Sequence, residues 1–242
     1  MKASRNIRIT LLFILIFIGA KFDSAAQGYD YESHEKSISA GIGFGYLFSD
    51  AAATYKAHGL FKDFIQNDVG TILTAEYREY LMAGLAYVAN VGFQKYQGTH
   101  DYTRHPRDYK YTSYLGEMSA LANLELFSFF SEQRIPIDIY PIGGIGLVGA
   151  RITNQSFSPT SGRPNAGDKL ASSALGFNLI AGLGMRFPIT DIIDLRFEGK
   201  YHFGTSDYLD GYSPYYSKHP DLIVEGVVKV SYHLWDKTCN CR

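Results

Sequence analysis

The sequence predicts an all-β fold: an eight-stranded antiparallel up-and-down β-barrel that spans a membrane, with a filled polar lumen. Three observations predict it. The chain opens on an export signal, eight later segments alternate apolar and polar residues with a period of two, and the connections between them alternate long and short.

The export signal comes first in the chain. Lys2, Arg5 and Arg8 give a positive start, an apolar run follows over 11–20, and Ser24, Ala25 and Ala26 lead into Gln27. Charge, apolar stretch and small-residue exit in that order mark a secretory signal peptide. The run is shorter than the ~20 apolar residues of a spanning helix, which sets a retained helical anchor second. Cleavage after Ala26 removes four cations and one carboxylate, leaving 19 basic against 23 acidic side chains, a net charge of −4. No basic cluster is present, so the charge pattern excludes a nucleic-acid partner. The expected organisation is a signal peptide over 1–26, a periplasmic segment over 27–36, the barrel over 37–235 and a periplasmic tail over 236–242.

Two-residue alternation puts successive side chains on opposite faces of a strand. The segment 37–48 sets Ile38, Ala40, Ile42, Phe44, Tyr46 and Phe48 against serine and glycine. Weaker alternation runs over 71–81, 84–96 and 137–150. Over 114–126, Tyr114, Met118, Ala120, Ala122, Leu124 and Leu126 oppose Glu117, Ser119, Asn123 and Glu125. Over 175–187, Leu175, Phe177, Leu179, Ala181, Leu183, Met185 and Phe187 oppose Asn178 and Arg186. Over 193–203 the contrast is sharpest, with Ile193, Leu195, Phe197, Tyr201 and Phe203 against Asp194, Arg196, Glu198, Lys200 and His202. Over 222–234, Leu222, Val224, Val228, Val230, Tyr232 and Leu234 alternate with Ile223, Glu225, Val227, Lys229, Ser231 and His233. These lengths reach the ~9–11 residues a tilted strand needs to cross a bilayer, whereas soluble strands average ~5–6.

The gaps 49–70, 97–110, 151–170 and 205–221 are long and polar, and those near 81–83, 128–136 and 188–192 are short. Long outer loops and short periplasmic turns are the outer-membrane pattern, so the expected location is the bacterial outer membrane, with lipid around the barrel and both termini periplasmic. The soluble rival, a lipocalin-type barrel, needs an apolar interior and turns the charged faces outward.

With apolar faces on lipid, the lumen collects Glu117, Glu125, Arg186, Arg196, Glu198, Lys200, His202, Glu225, Lys229 and His233. Eight strands leave an interior just wide enough for side chains, so opposite charges there are expected to pair into a plug rather than line a pore. His202, Ser206 and Asp207 invite a hydrolase reading. Neighbours on one strand point to opposite faces, however, and no nucleophile elbow or metal-ligand spacing occurs. The expectation is no enzyme, with no catalytic, cofactor or metal site. Cys239 and Cys241, one residue apart, are poorly placed to bridge each other and stand as candidates for a crosslink to a partner in the oxidising periplasm.

The stretch Thr205, Ser206, Asp207, Tyr208, Leu209, Asp210, Gly211, Tyr212, Ser213 resembles the T-T-D-Y-L-D-D-V-S motif of a Bacteroidetes family of small outer-membrane barrels. That family includes PorG, a component of the type IX secretion system. Tyr140 to Gly146 is similar to the family's P-Y-x-x-x-G-x-G strand, Gly182 to Arg186 also matches, and Glu198 stands where the family places an acid. Gly211 and Tyr212 depart from the motif, and the family's N-terminal Y-Q-G-D signature is absent around Tyr46. The resemblance implies a non-catalytic barrel that anchors periplasmic ring proteins of the secretion system, with the short turns and the cysteine tail as contacts. The alternatives are a passive structural or adhesive barrel and a lipid-modifying barrel enzyme. In the motif, Asp207 and Asp210 either close a turn or hold a cation.

Overall fold

The computed structural model describes residues 36–49, 69–82, 84–99, 109–127, 137–157, 169–190, 192–213 and 220–234. The signal segment, the periplasmic segment up to residue 35 and the Cys239–Cys241 tail lie outside them. The described strands are β1 (Lys36–Phe48), β2 (Val69–Met82), β3 (Leu85–Thr99), β4 (Tyr109–Leu124), β5 (Asp138–Phe157), β6 (Lys169–Leu170), β7 (Ser173–Pro188), β8 (Ile193–Gly204), β9 (Tyr212–Ser213) and β10 (Leu222–Leu234). All but β6 and β9 form one closed barrel in the order β1-β10-β8-β7-β5-β4-β3-β2, every pair antiparallel. The predicted fold class is therefore the observed one. β6 and β9 pair separately and tie two of the long connections together.

Alternation sets the two surfaces. Ile42, Phe44, Met118, Ile145, Leu175 and Phe177 point outward and are 66–77% exposed, while Arg78, Arg196, Lys200 and Lys229 point inward and are at most 2% exposed. An apolar exterior around a charged interior inverts the soluble arrangement and fits a barrel whose outer solvent is hydrocarbon. Closure gives each of the eight barrel strands a hydrogen-bonded neighbour on both sides.

Two short turns, β2–β3 and β7–β8, lie at one end. The β4–β5 connection beside them runs over 125–137 and is longer than the 100–108 gap between β3 and β4, so the expected alternation of long and short fails at that pair. Gly84 takes a positive φ of 75° in the tight β2–β3 turn, the backbone a two-residue hairpin favours. At the same end Ile189 and Thr190 both donate to the Ile193 carbonyl, closing β7 onto β8. Three sequence expectations need correction at the other end. β3, β4 and β5 run on to Thr99, back to Tyr109 and on to Phe157, so the third and fifth gaps are shorter than the polarity pattern implies. The inward side chains there are apolar rather than charged, with Tyr109, Tyr111 and Ile152 in one buried cluster, and the extra residue of a bulge lies on β5 between Thr153 and Ser156. Tyr46 is 3% exposed rather than on lipid, its ring edge-on to Phe48 with centroids 4.4 Å apart.

One close approach fixes the inward wall. Gly184 pairs with Tyr140, and a Cβ at Gly184 would run into the Tyr140 ring. The bare glycine lets that ring lie flat with its hydroxyl aimed at Glu198 (2.9 Å) and its face under the Arg78 guanidinium (5.3 Å). Gly184→Val is therefore expected to displace Tyr140 and cost about 1–3 kcal/mol by overpacking. A guanidinium titration in lipid vesicles measures it, and an unchanged midpoint counts against the account.

Candidate functional site

The lumen is built in layers. Strands β2, β8 and β10 supply most of the charge because their inward positions alternate it: Glu76 and Arg78 on β2, then Asp194, Arg196, Glu198, Lys200 and His202 on β8, then Glu225, Lys229 and His233 on β10. The facing wall is partly apolar, with Val88, Leu121, Ile142 and Ile180 packed around Tyr140.

At the short-turn end Glu125 gathers three arginines: Arg186 at 3.0 Å, Arg78 at 3.5 Å and Arg196 at 3.9 Å. The Tyr80 hydroxyl donates to the same carboxylate (2.5 Å). Asp194 accepts from Arg196 (3.3 Å) and meets His233 Nε2 (2.7 Å). In the next layer Glu198 faces Arg78 and Lys200, each at 3.8 Å, and accepts from Lys229. Lys229 also reaches Glu76 on β2, passing over β1 at Gly41, where a Cβ would meet its stem. Above this, Lys200 pairs with Glu225 (2.7 Å), and His202 faces Glu117 through Nδ1 (2.9 Å) and Glu225 through Nε2 (3.3 Å). Every described lumen arginine and lysine thus has a carboxylate within 4 Å, which offsets the large cost of isolating charge from water.

The top layer is apolar. Leu47, Tyr96, Tyr109, Tyr111, Leu115, Val148, Ala150, Ile152 and Ile223 form a cluster that two residues of the motif loop, Leu209 and Tyr212, complete. The loop was expected outside, and its centre instead folds inward: Leu209 and Asp210 have no exposed surface. Its backbone is held by barrel side chains. Ser113 donates to the Leu209 carbonyl (2.5 Å), Asp221 accepts from the Leu209 amide (2.7 Å), and Tyr109 donates to the Asp210 carbonyl (3.2 Å).

Asp210 accepts from the Tyr212 amide (2.8 Å), an Asx turn, whereas Asp207 accepts from the Ser213 hydroxyl (2.7 Å) six residues on. Thr205 binds β7, its hydroxyl accepting from the Phe177 amide (3.0 Å) and its amide donating to the Phe177 carbonyl (2.9 Å). Tyr208 accepts from the Gly211 amide through its carbonyl (3.1 Å). The trio His202, Ser206 and Asp207 is not brought together as a relay. The His202 nitrogens face glutamates, and the Ser206 hydroxyl accepts from the Tyr208 amide (3.3 Å).

All nine predicted lumen residues of the charge network face inward, as does His233. The sequence reading missed Glu76, Arg78 and Tyr80 on β2, Asp194 as a partner of His233, and Asp221 and Ser113 as holders of the loop. A signal for β2 exists in the alternation of Thr74, Glu76, Arg78 and Tyr80 with Leu73, Ala75 and Leu81.

No family model matches the sequence, and no curated protein matches it. Among solved structures, the chain is similar to the outer membrane protein OprG from Pseudomonas aeruginosa, with 11% identity over 84% of this chain and 97% of that one and a TM-score of 0.48. It is similar also to Ail, the attachment invasion locus protein of Yersinia pestis (14% identity, 84% and 99% covered, TM-score 0.43). A third is Neisserial surface protein A (13%, 81% and 96%, TM-score 0.41). The likeness is one of fold. Closed, apolar outside and charged within, this is a barrel of the outer-membrane kind.

Proposed function

We propose that the chain is a sealed outer-membrane barrel that serves as a non-catalytic anchor in an envelope assembly, with both termini in the periplasm. The observation that carries this reading is the filled lumen. Ion-paired side chains occupy its lower layers, and Leu209 and Tyr212 pack into the top, so among the described residues the interior is filled by side chains rather than arranged around a pore or cleft. A barrel with an occupied interior acts through its two rims and its outer wall. The resemblance of 205–213 to the Bacteroidetes barrel motif points to the type IX secretion system as that assembly, and to its periplasmic ring proteins as partners.

Two measurements test the reading. Reconstituted in planar bilayers, the barrel is expected to pass no stepwise current above the bare membrane, and discrete channel openings would refute the sealed lumen. Photo-crosslinkers at Phe127 and Thr190 on the short-turn rim, and at Cys239 and Cys241, are expected to capture a periplasmic protein in intact cells. If nothing is captured and deletion leaves secretion intact, the anchor role is wrong.

A further inference from the structure

Charge is almost excluded from the outward face. Among the described side chains of the barrel strands, those outward and charged are Lys36, Glu79, Lys95 and Arg151. Lys36 and Glu79 face each other at the short-turn end (3.9 Å). Lys95 and Arg151 stand towards the long-connection end, and there the described outward face holds no carboxylate to match them. They flank one residue: Lys95 pairs with Tyr114 across β3–β4, and Tyr114 pairs with Arg151 across β4–β5. The Lys95 ammonium lies over the Tyr114 ring, 5.8 Å from its centroid. Two strand spacings separate the basic residues by about 10 Å at the backbone, within reach of two long side chains converging on one anion.

What lies next to this row decides the kind of anion. On the short-turn side the next outward row is Phe93, Gly116, Gly149 and Leu175, and the one after it is Val91, Met118, Leu147 and Phe177. The latter four are 44–67% exposed. At Gly116 an added Cβ meets nothing within 4 Å, and at Gly149 it meets the Leu175 side chain at 3.9 Å, so a shallow channel runs down from Tyr114 between Phe93 and Leu175. A soluble anion has no use for the channel. A molecule whose anionic head adjoins a hydrocarbon chain fits both parts. Lys95 and Tyr114 also stand about one bilayer crossing from the short-turn ends of their strands, at the level where headgroups begin.

We propose that this wall binds a phosphate-bearing glycolipid of the outer leaflet, its phosphate held between Lys95 and Arg151 and one acyl chain laid along Gly116 and Gly149. The assignment rests on the outer-membrane reading for its lipid and is independent of the anchor role. The test is native mass spectrometry of the full barrel in neutral detergent, titrated with bisphosphorylated lipid A, dephosphorylated lipid A or phosphatidylglycerol. The double variant Lys95→Gln/Arg151→Gln is expected to weaken binding of the phosphorylated lipid A roughly tenfold, and Lys36→Gln to leave it unchanged. Gly116→Leu, which fills the channel with both cations intact, is expected to weaken it as well. Removing the lipid's phosphates is expected to reproduce the loss on the unaltered barrel. Unchanged affinity in the double variant, or indifference to the phosphates, overturns the site, and equal affinity for phosphatidylglycerol overturns its assignment to the outer leaflet. Failure of any of these leaves partner capture at the opposite rim untouched.

Discussion

Lys229→Met is expected to destabilise the barrel by about 3–5 kcal/mol, because it strands a buried carboxylate. Lys229 is fully buried and bonds both Glu76 and Glu198. Glu198 keeps Arg78, Lys200 and the Tyr140 hydroxyl after the change. Glu76 keeps no cation within 4 Å, since Lys229 is its one ion-pair partner at that range among the described residues. Methionine matches the stem in length and leaves no cavity, so the loss reports charge rather than packing. The companion variant Lys229→Met/Glu76→Gln removes the stranded charge and is expected to recover much of the loss. Guanidinium titrations in lipid vesicles supply both values. A single-variant loss below about 1 kcal/mol means that the remaining network or water compensates Glu76, and the layered pairing described above is then wrong.

The second large effect concerns the top of the lumen. Leu209 and Tyr212 are the two side chains by which the motif loop holds its place in the apolar cluster. Truncating a buried leucine to alanine costs about 2–5 kcal/mol and a buried aromatic about 3–5. The loss falls on a loop held by a few hydrogen bonds, not on the strand ladder, so the loop is expected to leave the mouth while the barrel stays closed. In Leu209→Ala/Tyr212→Ala, protease added from the loop side is expected to cut within 205–213, and the unaltered protein is expected to resist it there. The gel mobility of the folded barrel is expected to persist, and bilayer current to stay at baseline, because the ion-paired layers remain below. Unchanged resistance to protease contradicts the inward placement of the loop. Loss of the folded mobility contradicts the separation of the two layers.

How much of this was legible in the sequence depended on the purity of each strand's outward face. β8 was readable because Ile193, Leu195, Phe197, Tyr201 and Phe203 never share a face with Asp194, Arg196, Glu198, Lys200 or His202. β2 was harder, because its outward face carries Tyr77 and Glu79, the latter paired with Lys36, so neither face looks apolar throughout. Arg78 and Glu76 were lost with it. The motif loop was legible as a motif but not as a plug, since Leu209 and Tyr212 sit among polar residues as they would in an exposed loop. Their partner Ser113 lies 96 residues away and Tyr109 a further few, on a strand that alternation placed several residues too late. β4 keeps its inward parity through Tyr109, Tyr111, Ser113 and Leu115, but those inward side chains are mostly apolar, so the polar-inside contrast that marks the rest of the strand is lost there.

The crossing of Lys229 over Gly41 bears on how the cylinder shuts. β1 and β10 are the first and last barrel strands in the chain, and their ladder is the seam. The ion pair does not join those two strands. It leaps from the last to the second, with the first threaded beneath it. An unshut sheet therefore carries Glu76 near one margin without its lysine, and Lys229 at the other with Glu198 of β8 alone. Zipping the seam completes the ladder and brings Glu76 its cation in a single event, and a chain ending before its last strand can do neither.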